Sequence, residues 1–359
     1  MPSPGSLLWS YLNVLTKQRL DAIRDVYGSL EKAKEHLGEE MLRGLGCREE
    51  TVHATLLRLE EFDERKYEAD LQKRGIEFLD DDDAAYPKSL REIGDPPPFL
   101  YVRGDLSILS QPCIAVVGTR KMSDYGKRVA EDFTGEFVRS GLVTVSGLAE
   151  GIDAVVARET LRLGGKTVAV LGHGLGMIFP TKHAKLANEI VKSGGLLLSE
   201  FPLDISPGKY TFPARNRIIA GLTLGTVVIE APEGSGAIIT ADLATEYGRD
   251  VFAVPGEIFD PSFAGCHALI ANGARITTCA RDVLEELGIV APEKSTSRSF
   301  DPSSPDEAAV YAVLTTMPQD TDTIVKRAAI SAARISATLT LLELQGVAKN
   351  IGGGAWVRT

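Results

Sequence analysis

Arginines and lysines recur where buried apolar runs break into turns of small residues. Gly118-Thr119-Arg120-Lys121 follows IAVV, Ser146-Gly147 follows LVTV, and Lys182 lies near the end of the glycine-rich loop GHGLGMIFPTKH. Lys209, Arg215 and Arg217 crowd within nine residues of KYTFPARNRIIAGL, Gly234-Ser235-Gly236 opens a further turn, and Arg249 comes just before VFAV. Backbone N–H groups freed at helix starts, with guanidinium and ammonium groups beside them, are what a phosphate needs. One such turn is a weak signal. Several in series describe a phosphate-binding face.

Other chemistries fit less well. GTRKMSDYG lacks the GxGxxG spacing of dinucleotide folds, and LVTV ends in Ser146-Gly147 instead of an acid that would grip a ribose. Arg120 can hold a phosphate through paired hydrogen bonds, the alternative being a surface ion pair of little energetic consequence. Asp153 reads as a helix cap. His173 and His183 read as local hydrogen-bonding residues, because no spacing supplies a third metal ligand. Arg215 and Arg217 stand roughly 200° apart on a helix, so one is expected to reach outward while the other pairs with Glu200 or Glu230. Arg249 is either a phosphate partner or a charge at a helix C-terminus. Tyr125, Tyr210 and Phe212 are each either a base-stacking platform or core. With no paired carboxylates or activated nucleophile evident, no catalytic residue, metal or cofactor is assigned.

The elements that must carry these residues alternate. Candidate strands are 114–117, 142–145, 167–171, 196–199, 226–230, 251–254 and 275–278, with helices over 125–140, 153–163, 183–192, 214–222, 237–247 and 267–272. Short Val/Ile/Leu runs between amphipathic helices imply a doubly wound, mostly parallel Rossmann-like sheet over residues 108–290, with its ligand site at the carboxyl ends of the strands. Residues 1–62 read as a small helical module like a SAM or helix-hairpin-helix unit, or as a helical cap on the next domain. Residues 63–107, with the solvated acidic run Asp80–Asp83 and the extended Pro96–Pro98, read as a connector. A linker at 291–305 leads to three helices and a glycine-centred hairpin over 306–359, the winged-helix pattern. That unit holds about as many acids as bases, so a protein-contact role is as open as DNA reading.

The chain has 359 residues, 44% of them hydrophobic and 25% charged, enough for two or three domains. A net charge of −10 argues mildly against a nucleic-acid binder but leaves room for a local basic pocket. No apolar run approaches the ~20 residues of a membrane span. The N-terminal residues lack a basic leader, and Cys47, Cys113, Cys266 and Cys279 form neither a disulfide framework nor a metal pattern, so a cytoplasmic location is expected.

In order, VVGTRKMSDYG, SGLAEGID, AVLGHGLGMIFPTKH, GGLLLSEFP, FPARNRIIAGL, EGSGAIITADLATEYGRDVFAVPG and GCHALIANGA resemble the DNA-processing protein A (DprA, or Smf) family over roughly residues 85–290. The resemblance implies a non-catalytic, cytoplasmic homodimer that binds single-stranded DNA during natural transformation and hands it to the RecA recombinase. It implies that Arg120 is a DNA-pocket residue, with Lys182, Lys209, Arg215 and Arg217 nearby. The chain departs from the family pattern at Ala157, Met177 and His267. Two alternatives remain. EAPEGSGAIITAD is distantly similar to the glycine loop of lysine-decarboxylase-like phosphoribohydrolases, although only Asp242 follows it; the other alternative is a protein adaptor with a vestigial pocket.

Overall fold

The computed structural model describes residues 2–290, 300–315 and 317–358, in two compact units that divide near residue 291. The first unit begins with six helices: α1 (Ser6–Leu12), α2 (Lys17–Tyr27), α3 (Leu30–Lys34), α4 (Glu39–Gly44), α5 (Glu49–Glu61) and α6 (Glu64–Arg74). Next come β1 (Glu77–Asp80), α7 (Lys88–Arg91) and β2 (Phe99–Gly104). Strict alternation follows: β3 (Cys113–Val117), α8 (Asp124–Arg139), β4 (Val143–Ser146), α9 (Ile152–Arg162), β5 (Thr167–Val170), α10 (Ala184–Lys192) and β6 (Leu196–Ser199). The unit closes with α11 (Thr211–Leu222), β7 (Gly225–Val228), α12 (Gly236–Glu246), β8 (Asp250–Ala253), α13 (Ala264–Ala271), β9 (Arg275–Ile276) and α14 (Ala280–Glu286).

All nine strands form one sheet in the order β1-β2-β6-β5-β4-β3-β7-β8-β9. Strands β3 to β9 pair in parallel, and β2 runs antiparallel to both β1 and β6. The expected doubly wound, mostly parallel sheet is therefore present. Its central strand shows why the sequence reads as an unbroken apolar run: Cys113, Ala115 and Val117 enter one core cluster, while Ile114 and Val116 enter the cluster on the other face. Chain order reverses at β3, with β4, β5 and β6 stepping to one side and β7, β8 and β9 to the other. The carboxyl ends of β3 and β7 thus flank the crevice where such sheets take ligands.

Two expectations need correction. Residues 63–107 supply more than a connector, since β1 and β2 extend the sheet and Tyr101 is fully buried in it. The acidic run is not a solvated loop. Asp80 is 1% exposed and accepts from the Ser3 N–H and the Ser6 hydroxyl, Asp81 receives both ends of the Arg24 guanidinium, and Asp83 caps the Ala85 N–H. The partners lie far away in sequence, so charge density alone misled. Those contacts also seat the N-terminal helices on the β1–β2 edge, where Phe99 joins the helical core and the Ser10 hydroxyl meets the Tyr101 hydroxyl at 2.8 Å.

The second unit contains α15 (Pro305–Val313), β10 (Gln319–Asp320), α16 (Thr321–Ala328), α17 (Ala332–Leu344), β11 (Ala348–Gly352) and β12 (Ala355–Arg358). Val310, Leu314, Ile324, Ile335, Leu339, Leu342 and Trp356 form its core, and the strands pair in the order β10-β12-β11, a winged helix. Of the expected linker, residues 291–299 lie outside the described residues. Among the described residues, no helix is long and apolar enough to cross a membrane.

One buried carboxylate fixes the start of α8. Glu230, just past β7 and 1% exposed, accepts from the N–H and the hydroxyl of Ser123, the α8 N-cap. The helix comes so close that a Cβ on Gly126 would stand 2.0 Å from Glu230 Oε2. Gly126→Ala is therefore expected to lower unfolding stability by about 1–3 kcal/mol, as overpacking does. A urea titration with an unchanged midpoint would contradict this seating of Glu230.

Candidate nucleic-acid interface

The β3–α8 turn places Gly118, Thr119, Arg120 and Lys121 at the crevice. Its backbone is tied down where the Thr119 N–H donates to the Glu230 carbonyl at 2.6 Å and the Ile152 N–H donates to the Thr119 carbonyl at 3.2 Å. The Arg120 and Lys121 side chains extend outward, and among the described residues neither has a carboxylate partner. The Arg120 guanidinium lies over the Phe212 ring, 5.2 Å from its centroid. These two residues form the wall between two clefts.

The first cleft, of about 410 Å³, lies at the β3/β7 crevice and is bounded by the Gly118–Lys121 turn, Phe212, Asn216 and the Gly234–Gly236 turn. Ser235 caps α12 by accepting from the Ala237 N–H. Among the described residues, the N–H groups of Gly234 and Gly236 donate to no protein acceptor. Asn216 Nδ2 holds the Gly236 carbonyl at 3.1 Å, so these amides sit on a fixed turn at a helix start.

Arg215 forms part of this cleft's floor and is 5% exposed. Its guanidinium donates to the Gly147 carbonyl at 2.7 Å, to the Val170 carbonyl and to Asn216 Oδ1. The approach is so close that a Cβ on Gly147 would lie 2.0 Å from Arg215 Nη1. Burial pulls the guanidinium down to about 10, with Asp153 opposing the shift and Arg120 adding to it. Burial also raises the Asp153 carboxyl, opposed by Arg215 and by the N–H groups of Ala149 and Gly147 that it accepts.

The second cleft, of about 420 Å³, is bounded by Arg120, Lys121, Glu150, Ala154, Arg158, Lys182 and His183. Lys182 Nζ meets Glu150 Oε1 at 2.7 Å, and this bond with the ammonium charge holds the Glu150 carboxyl below its ordinary value. His183 donates from Nδ1 to the Leu148 carbonyl, joining this loop to the Ser146–Gly151 turn. Leu148 itself is fully buried at φ 54°, a conformation rare for a leucine, and lies beside the site.

The structure thus brings Gly118, Thr119, Arg120, Lys121, Gly234, Ser235 and Gly236 into the first cleft, and Lys182 into the second beside Arg120 and Lys121. Other expected positions fall elsewhere. Ser146 and Gly147 are buried behind the floor, and the Gly147 N–H is already used by Asp153. Asp153 is therefore an acceptor for loop amides and not the simple N-cap that its position suggested. Neither of the paired arginines reaches outward. Arg217 binds Glu200 and Asp95, and Glu200 is a buried carboxyl raised by desolvation. Arg249 stands at the amino end of β8 beside Glu92, away from the strand carboxyl ends. Lys209 is exposed, with its ammonium 4.8 Å from the Tyr210 ring centroid, and lines neither cleft.

Sequence reasoning missed Arg158 and Phe179. Arg158 lines the second cleft four residues after Ala154 on one face of α9, so helical spacing from the GID turn could have found it. Phe179, 44% exposed, packs against Phe212 at 6.2 Å and extends the aromatic surface below Arg120. Among the described residues, no group of three His, Cys, Asp or Glu side chains is placed to hold a metal.

Comparison with known proteins places the chain in a family. Residues 77–288 match the DNA recombination-mediator protein A family, and residues 294–354 match the DprA winged helix domain. The chain is 38% identical to Protein Smf of Escherichia coli over 291 residues, covering 79% of this chain and 78% of that protein. It is 41% identical to the DNA processing protein DprA of Streptococcus pneumoniae, covering 70% and 89%. The crystal structure of DprA from Streptococcus pneumoniae superimposes with a TM-score of 0.67 at 37% identity, over 80% of this chain and 99% of that one. A structure of DNA processing protein A from Helicobacter pylori, described by its single-stranded DNA binding mode, gives 0.54 at 30% identity over 59% and 95%.

His173 anchors the loop that carries Phe179 and Lys182. The Phe179 N–H donates to Nε2, so the proton resides on Nδ1 and is given to the Gly174 carbonyl. Burial holds this imidazole below its ordinary 6.5. The unfolded chain takes up a proton near that value while the folded one does not, so stability is lost as pH falls below it. The expected loss is at most about 1.4 kcal/mol per pH unit. Urea midpoints for wild type should fall between pH 7 and 5.5 more steeply than those for His173→Gln; parallel profiles would contradict the assignment.

Proposed function

Because the chain belongs to the DNA recombination-mediator protein A (DprA/Smf) family, we propose that it binds single-stranded DNA without chemical turnover and presents it to RecA recombinase. In this reading successive phosphates lie along the carboxyl rim of the sheet, against Arg120, Lys121 and the free amides of Gly234 and Gly236. Lys209 flanks that path, and bases stack outward on Phe212 and Phe179. The observation that carries the reading is a pair of cations, Arg120 and Lys121, with no carboxylate partner among the described residues, shared by the cleft at the β3/β7 crevice and the cleft beside it. A chain with a net charge of −10 in which these two cations have no carboxylate partner among the described residues has a local field suited to a polyanion. Such contacts are indifferent to sequence, since phosphates carry no base identity.

Several features support a binding role over a hydrolytic one. Asp242, the acid that follows the Gly234–Gly236 turn, is exposed on α12 and lines neither cleft. Asp153 is committed to loop amides, and Glu150 lies against the Lys182 ammonium. A homodimer is part of the reading, and its support is the open edge at β9, where Ile276 is 53% exposed. On α17 of the winged helix, Arg334 is held by Asp306 while Leu341 and Leu344 are exposed, which favours a protein partner over duplex DNA for that unit.

The test is a gel-shift comparison of single- and double-stranded DNA with wild type and Arg120→Glu. Losing a charge-assisted phosphate contact costs about 1.5–3 kcal/mol, so single-stranded affinity should fall roughly 10- to 150-fold with the melting temperature preserved. Undiminished binding would overturn the reading, as would release of free base from nucleoside monophosphates.

A further inference from the structure

The second cleft carries a feature that simple phosphate binding does not require. Its cations are of two kinds. Arg158 is exposed and, among the described residues, has no ion-pair or hydrogen-bond partner. Lys182 is also exposed, yet its ammonium is occupied by Glu150. Both ends of that pair are mounted on fixed backbone. Glu150 stands between Ala149, whose N–H is held by Asp153, and Gly151, whose carbonyl accepts from Val155. Lys182 precedes His183, which is bonded to the Leu148 carbonyl. The pair is therefore presented in place, but it is solvated, with side chains 61% and 47% exposed. An exposed pair of this kind contributes little and is readily exchanged.

A carboxylate oxygen and a phosphate oxygen make the same kind of contact with a lysine ammonium, so the two compete for it. Building on the single-stranded DNA reading, we propose that the second cleft is a further phosphodiester subsite. Arg158 is one of its cations, and Glu150 is a built-in competitor that holds Lys182 until a DNA phosphate replaces it. Arg120 and Lys121, which wall both clefts, make the two subsites consecutive on one strand. Glu150 then limits affinity only for DNA long enough to extend past Arg120, and favours release from that end of the track.

The test measures binding of fluorescent oligothymidylates of about 3 and about 12 residues, lengths bracketing a single-strand site, to the full chain. Glu150→Gln should tighten the longer oligonucleotide about two- to fivefold, the effect of freeing an exposed pair, and leave the shorter one within twofold. Arg158→Ala should weaken the longer one about threefold or more and spare the shorter. Glu60→Gln, an exposed acid on α5 with the same change of net charge, should alter neither. If Glu150→Gln or Arg158→Ala affects both lengths alike, or neither, while Arg120→Glu still weakens both, the subsite is overturned and the parent reading stands. If Arg120→Glu also leaves both lengths bound, the parent reading falls and the subsite with it.

Discussion

Two internal carboxylates decide what this sheet can bind. Glu230 fills the start of α8 by accepting from Ser123, and Asp153 takes the amides of Gly147 and Ala149 before α9. In a doubly wound sheet the helix after the central strand is where a pyrophosphate ordinarily rests. Here a side chain of the protein already provides that negative charge. No diphosphate can enter without displacing a buried carboxylate. The helix start left open belongs to α12, where, among the described residues, the N–H groups of Gly234 and Gly236 donate to no protein acceptor.

The rest of the site follows from that occupancy. With the α8 start closed, the β3–α8 turn directs its two cations outward instead of inward, and Arg120 settles across Phe212. Arg215 is spent inside, tying the ends of β4 and β5 to α11 through the carbonyls of Gly147 and Val170. The result is a rigid floor beneath shallow, continuous clefts and not a closed pocket. A small cofactor would find few groups to enclose it, whereas a chain of phosphates can run along the rim from one cleft to the other. Fixed backbone beneath exposed cations suits a ligand whose charge repeats and whose bases vary.

Much of this was legible in the sequence because it is local. Val/Ile/Leu runs declared the parallel strands, and β6 covers Leu196–Ser199, the bounds expected for it. Gly118–Lys121 and Gly234–Gly236 declared their turns. What escaped depends on partners distant in the chain. Asp80 looks solvated until Ser3 and Ser6 are folded onto it, and the strands β1 and β2 hide beside a charged run and three prolines. Arg215, Arg217 and Arg249 have the residue type a phosphate needs. The pairing of one of the two neighbouring arginines with Glu200 was among the expected outcomes and falls to Arg217; the roles of Arg215 and Arg249 are set by Gly147 and Glu92, which no spacing rule connects to them. Arginine type marks the neighbourhood, and only the acceptor nearby shows whether the charge is still free.

The central claim is that unpaired cations on one rim neutralise consecutive phosphates. The most direct measurement is the single-stranded DNA association constant of the wild-type chain across a range of salt concentrations. Each neutralised phosphate on a single strand contributes a slope of about 0.7, so the plot of log association constant against log salt should fall with a slope of roughly two to four. An affinity independent of salt would contradict it.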